Sequence, residues 1–115
     1  MGYMHKVFLS GKGVYGCSSC ETHLAKRDDI TSRHYTGQYG RAVLLSNVVN
    51  VIYGEEEKRA MTTGVHIVRD ISCMGCKKYV GWTYIKAYVP EQRFKEGQFI
   101  LEREIIHDVS RDWDY

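Results

Sequence analysis

Cys17-Ser18-Ser19-Cys20 and Cys73-Met74-Gly75-Cys76 are the two stretches on which the fold turns. They hold all four cysteines of the chain, and 52 residues separate Cys20 from Cys73. A Cys-x-x-Cys turn points both sulfurs at a common centre, and two such turns offer four thiolates. Four thiolates in a closed tetrahedron suit structural Zn²⁺, whose filled d shell imposes no other geometry. Two disulfides, or one redox-active pair, are the competing readings. Nothing in the chain directs it to an oxidising compartment, and a redox motif would leave the second pair idle. One zinc ion on Cys17, Cys20, Cys73 and Cys76 is the reading that uses every cysteine.

The gap is informative in itself. A compact finger or ribbon separates its cysteine pairs by about 12 to 20 residues. Here the metal has to clamp two hairpins that are distant in sequence. Structural zinc supplies about 10–16 kcal/mol of apparent binding energy, comparable to the whole stability of a small domain.

Working outward, 115 residues and 13.3 kDa make one domain, because two cores would leave each half marginal. At 43% hydrophobic and 26% charged, the composition is that of a soluble globular protein. No apolar stretch approaches the roughly 18 residues of a membrane-spanning helix. The longest apolar-rich run, residues 42–53, is broken by Ser46, Asn47 and Asn50. Residues 1–6 lack the apolar core of a secretion signal, and Lys6 stands where a myristoylation pattern wants Ser or Thr. The expectation is an intracellular domain with no membrane attachment. Sixteen Lys and Arg against 14 Asp and Glu give +2. Four thiolates and one zinc bring the loaded domain near neutrality, which removes most of the global electrostatic case for nucleic-acid binding.

One proline, 11 glycines and nine tyrosines favour short strands joined by tight turns. Strands are expected at residues 7–9, 14–16, 30–35, 41–45 and 48–53, with one helical turn at 23–29. Residues 54–57 read as an exposed acidic turn. A hairpin is expected from 58–62 and 65–72 around Thr63-Gly64, with Val65, Ile67 and Ile71 on one face and His66, Val68 and Asp70 on the other. Period two in residues 79–88 puts Val80, Trp82, Tyr84 and Tyr88 on one face. Residues 90–97 read as a loop and 99–106 as a returning strand. Such a string makes an all-β domain.

Several further blocks surround the cysteine turns: Cys20-Glu21-Thr22-His23-Leu24-Ala25, Tyr35-Thr36-Gly37-Gln38, Gly40-Arg41-Ala42 and Val48-Val49-Asn50-Val51. Met61-Thr62-Thr63-Gly64-Val65-His66, Asp70-Ile71-Ser72-Cys73, Gly81-Trp82-Thr83-Tyr84 and the run from Lys95 to Glu102 follow. In this order and with this cysteine spacing, the chain resembles the Yippee family. The resemblance implies a β-tent, two antiparallel sheets pinned by one structural zinc, as in the thalidomide-binding domain of cereblon. Methionine sulfoxide reductase B, the Mis18 centromere proteins and the RNA-binding end of RIG-like helicases share that architecture. The implied layout is a flexible N-terminus at 1–6, the zinc-binding domain at 7–106 and a tail at 107–115. Family members are small proteins of nucleus and cytoplasm, and some associate with CTLH (GID) ubiquitin ligases; a monomer is expected.

Fold alone does not choose a function. A sulfoxide reductase needs a nucleophilic cysteine beyond the zinc ligands, and a hydrolytic zinc needs an open position that four cysteines fill. A deaminase would carry proline where Ser72 precedes Cys73. The expectation is a non-enzymatic protein-interaction or adaptor module, linked to a CTLH/GID-type ligase. The alternative is a receptor for a small ligand or modified peptide end in a cereblon-like pocket beside the zinc. The resemblance places Trp82 as one wall of that pocket, with Tyr84 on the same face, Met61 and His66 from the hairpin, and Asn47 as a lining asparagine. An imide-like or cationic group would then sit against Trp82 and Tyr84. The plainer readings are Trp82 as core and His66 as a hydrogen-bonded strand histidine. His23 reads as a donor to a thiolate or a surface residue. Arg27, Arg33, Arg41, Lys58, Arg59, Lys77 and Lys78, with Tyr35 and Tyr39, are scattered, so a nucleic-acid surface ranks below a solvated one.

Overall fold

The computed structural model describes residues 6–110. In chain order the strands among them are β1 (Val14–Cys17), β2 (His23–Lys26), β3 (Ile30–Gly37), β4 (Gly40–Leu45), β5 (Val51–Met61), β6 (Gly64–Cys73), β7 (Tyr79–Ala87), β8 (Phe99–Glu102) and β9 (Ile106–Asp108). They form two antiparallel sheets, a small one ordered β2-β1-β9 and a large one ordered β3-β4-β8-β7-β6-β5. Short 3₁₀ turns supply the rest of the regular structure, and no described helix is long and apolar enough to cross a membrane.

β4 shows how the core is arranged. Ala42, Val43, Leu44 and Leu45 are all buried, so this strand is covered on both faces. Val43 and Leu45 join Ile71, Cys73, Val80 and Leu101 of the large sheet, and Cys17, Leu24, Ala25 and Ile106 of the small sheet, in a core between the two. Ala42 and Leu44 point the other way, into a second cluster with Val68, Trp82, Tyr84 and Ile100. Of the two edge strands of the large sheet, β3 has no buried residue and β5 is buried only at Val51.

Several expectations are corrected, each for a visible reason. Residues 7–9 form no ladder; side chains satisfy their backbone instead. Asn50 accepts from Val7 N–H at 2.7 Å and donates to Val7 O at 2.7 Å, while His23 Nδ1 accepts from Leu9 N–H at 3.0 Å. The helical turn at 23–29 is β2 followed by a 3₁₀ turn, because Leu24 and Ala25 are drawn into the inter-sheet core. The acidic run at 54–57 stays in β5, where a bulge between Tyr53 and Glu56 absorbs it. Three glutamates on an exposed edge oppose pairing with another chain. The strand of 48–53 begins only at Val51, and the β5–β6 turn is Thr62-Thr63, one residue earlier than expected. The loop at 90–97 contains a 3₁₀ turn, Pro90–Lys95.

Two corrections bear on function. The strand expected at 99–106 breaks at a 3₁₀ turn, Arg103–Ile105, which carries the chain from the large sheet (β8) to the small one (β9). In β7, a register shift against β6 leaves Val80 as the extra residue between Tyr79 and Gly81. Val80 therefore faces the inter-sheet core while Trp82 and Tyr84 face the opposite cluster, so the three do not share a face. Tyr88 lies beyond the strand and is exposed.

Glu102 is fully buried at the end of β8 and closes the β3–β4 hairpin. It accepts from Gln38 N–H at 2.9 Å, Tyr39 N–H at 2.9 Å and Tyr79 O–H at 2.6 Å. Gly81 lets β7 close on β8, since a Cβ there would stand 1.8 Å from the Ile100 carbonyl oxygen. That oxygen is backbone in a paired strand and has nowhere to move. Gly81→Ala is expected to lower the unfolding free energy by about 3 kcal/mol, read as a shift in urea midpoint at constant slope.

Candidate metal centre and a cavity on the opposite face

The two cysteine turns are built alike. In each, the residue after the second cysteine adopts the left-handed conformation without being glycine: Glu21 at φ 64° and Lys77 at φ 70°. Each donates its N–H to the carbonyl of the first cysteine, Glu21 to Cys17 at 2.7 Å and Lys77 to Cys73 at 2.8 Å. Each first cysteine donates in turn across its loop, Cys17 N–H to Thr22 O at 3.0 Å and Cys73 N–H to Lys78 O at 2.8 Å. Left-handed backbone in a non-glycine residue costs about 1–3 kcal/mol, so something must hold both turns closed.

The four sulfurs supply that something. Sγ of Cys17, Cys20, Cys73 and Cys76 all lie within 4.8 Å of one another, Cys17 to Cys76 at 3.6 Å and Cys20 to Cys73 at 3.5 Å. A disulfide requires about 2.05 Å. A tetrahedral zinc with bonds of about 2.3 Å places its sulfurs about 3.8 Å apart, so the donor set and spacing fit that ion. Bound there, zinc would hold all four groups as thiolates and cross-link the two sheets. Without it the thiols are unequal. Burial pushes Cys17 up to about 12. Burial also raises Cys20, but hydrogen bonds from Thr22 and the facing thiols outweigh it and bring the group down to about 6.

Thr22 is the thiolate donor, with its hydroxyl 3.1 Å from Cys20 Sγ; His23, one residue on, bonds Leu9 N–H instead. Gly75 leaves room for this contact, because a Cβ there would fall 2.3 Å from Thr22 Oγ1. The polar hub next to the centre is Asn50, buried and at φ 59°, which also donates to His23 O at 2.7 Å.

The groove residues separate. Met61, Trp82 and Tyr84 line one cavity of about 590 Å³, with Tyr35, Thr63 and Lys95 among its other walls. His66 is fully buried behind Tyr84, ring centroids 5.2 Å apart, with Nδ1 against Gly64 O at 2.9 Å. Burial, and then the charge of Lys95, lower its pKa. Asn47 is exposed between β4 and β5 and is not among the cavity's walls, which corrects its expected place. The cavity also opens on the second cluster, across the large sheet from the cysteines rather than beside them. A cleft of about 650 Å³ does adjoin the first cysteine turn, bordered by Ser18, Ser19, Tyr39 and Tyr79.

The residue that sequence reasoning passed over is Lys95. It is 3% exposed, and its Nζ donates to Thr63 Oγ1 at 3.0 Å. The ammonium lies 5.2 Å from the Tyr35 ring centroid, 5.3 Å from Tyr84 and 5.9 Å from Phe94. No carboxylate among the described residues pairs with it. A cationic guest against Trp82 and Tyr84, as the sequence suggested, would meet this like charge. The signal available was a lysine beside the only proline-started turn, and it looked like an ordinary surface residue.

Cys73→Ser is expected to yield insoluble or unfolded chain; a cooperative melt and soluble yield equal to wild type would contradict this. Thr22→Val is expected to stay folded but bind zinc about tenfold more weakly, measured by competition with a chromogenic chelator.

A family model described as "Yippee zinc-binding/DNA-binding /Mis18, centromere assembly" matches residues 13–111. The potato protein yippee-like is 46% identical over 115 residues, covering 98% of this chain and 88% of its own. Human protein yippee-like 3 is 44% identical over 101 residues, covering 87% and 83%. Among solved structures, the crystal structure of the Mis18 "Yippee-like" domain superposes with a TM-score of 0.66 at 16% identity, over 85% of this chain and 95% of that one. That likeness carries the β-tent fold, while the match over residues 13–111 and the curated relatives carry the family: this chain is a zinc-binding member of the Yippee family.

Proposed function

We propose that the chain is a non-catalytic recognition module, an adaptor that presents the cavity of Trp82, Tyr84 and Met61 to a partner protein. The observation that carries this is a buried polar atom left over for a guest. Trp82 is 6% exposed, and its indole N–H approaches the Tyr84 hydroxyl but meets no acceptor at hydrogen-bond geometry. Buried donors are nearly always satisfied, and one left open beside a cavity of this size is what a binding site provides. Thiol and metal-hydrolytic catalysis are disfavoured by chemistry: the four thiols converge on one closed centre, which leaves no free thiol and no open metal position.

Partner proteins include, in this reading, subunits of a CTLH/GID-type ubiquitin ligase in nucleus or cytoplasm, with the chain acting as a monomer. A nucleic-acid surface is less favoured because three of its seven basic residues already contact other side chains. Arg59 pairs with Asp70 at 3.2 Å and also with Glu57, Lys58 lies 5.4 Å from the Tyr88 ring, and Lys78 donates to Ser19 at 2.9 Å.

The test is quantitative affinity purification from cell extract with zinc-loaded wild type, Trp82→Ala and the rim variant Met61→Arg, each verified as folded and metal-bound. Ligase subunits captured by wild type and lost from both variants are the expected result. Retention by both variants would move the interface off the cavity, and no reproducible partner for wild type would overturn the adaptor reading.

A further inference from the structure

Lys95 gives the cavity a chemical preference. The usual solution for a buried ammonium is a carboxylate partner, since a desolvated charge is costly unless paired. Here three aromatic faces and one hydroxyl surround it, and no described acid answers its charge. Lys95, Thr63 and Trp82 border one cavity whose walls hold no carboxylate, and the Trp82 indole N–H, buried beside the Tyr84 hydroxyl, meets no acceptor at hydrogen-bond geometry.

We propose that the cavity binds the C-terminal carboxylate of a partner peptide, held by Lys95 Nζ and the Trp82 indole N–H, with the last side chain against Tyr35, Met61 and Tyr84. This rests on the reading of the cavity as the recognition site and names the chemistry that site takes. A single lysine matches one negative charge. A phosphate monoester brings about −1.5 to −2, more than one lysine balances, and this cavity's walls have no arginine to add. The aromatic walls argue for an apolar group next to the anion. They favour a chain terminus, whose side chain can be apolar, over an internal Asp or Glu, which would bring polar backbone against the rings. Burial alone depresses the Lys95 pKa, and a bound anion would restore the charged form.

The test uses zinc-loaded full chain and follows the Trp82 indole ¹H–¹⁵N signal, assigned with Trp82→Phe. The probes are N-acetylphenylalanine, its amide, the α-amide of N-acetylglutamic acid, and phenyl phosphate. The free terminal acid should bind at least tenfold more tightly than the amide and more tightly than the other two. Lys95→Met should erase the preference for acid over amide, and Lys95→Arg should keep most of it; the wild-type comparison stands even if Lys95→Met fails to fold. Equal binding of acid and amide would overturn the carboxylate assignment while leaving the recognition cavity in place. Tighter binding of phenyl phosphate or of the glutamate side chain would overturn it in favour of those anions. No shift with any probe would make Lys95 a structural cation, and the recognition module would then stand or fall on the purification experiment alone.

Discussion

Four sulfurs within 4.8 Å of one another bring together two turns that lie 52 residues apart in the chain. Cys17 ends β1 of the small sheet and Cys73 ends β6 of the large one. The small sheet has strands of only three and four residues, too little to persist in water by itself. Each cysteine turn also keeps a non-glycine residue in left-handed backbone. Loop-closure entropy rises slowly with length, by about 0.6 kcal/mol per doubling, so a 52-residue separation adds little beside about 10–16 kcal/mol of metal binding. The long gap is thus a practical way to join two sheets, and the core of Cys17, Leu24, Val43, Ile71 and Leu101 fills the space it encloses.

The cysteine centre and the cavity lie on opposite faces of the large sheet. β7 leaves the second cysteine turn, places Val80 toward the metal side, and after its irregularity places Trp82 and Tyr84 on the other. Gly81 between them lets the strand lie against β8, which carries Ile100 beneath the cavity and Glu102 beneath the β3–β4 turn. The metal side and the cavity side are thus connected along the backbone of one strand, β7. This division suits the proposed recognition role, with the cysteine centre on one face of the large sheet and the candidate cavity on the other.

The metal ligands were legible because four cysteines in two pairs admit few arrangements, and the all-β class followed from tyrosine, glycine and β-branched content. The side on which Trp82 lies was not, since the irregularity at Val80 breaks strict alternation; the available signal was Gly81, an isolated glycine inside a strand. Asn47 and Asn50 are equivalent by type, and only backbone geometry shows that Asn50 is the buried one, held at positive φ with three hydrogen bonds. Lys95 was hidden for a related reason. Its burial comes from three rings, Tyr35, Tyr84 and Phe94, two of them remote in sequence. Thr22 as the thiolate donor was missed by one position, because histidine is the commoner suspect near zinc.

Hydrogen exchange by mass spectrometry, on the zinc-loaded chain and on the same chain after chelation, tests the dependence of the whole fold on the cysteine clamp. The account predicts that amides of β4, β7 and β8 lose protection together with those of β1 and β2, because both sheets share one core. Retained protection across the six-stranded sheet, with loss confined to β1, β2 and β9, would contradict it.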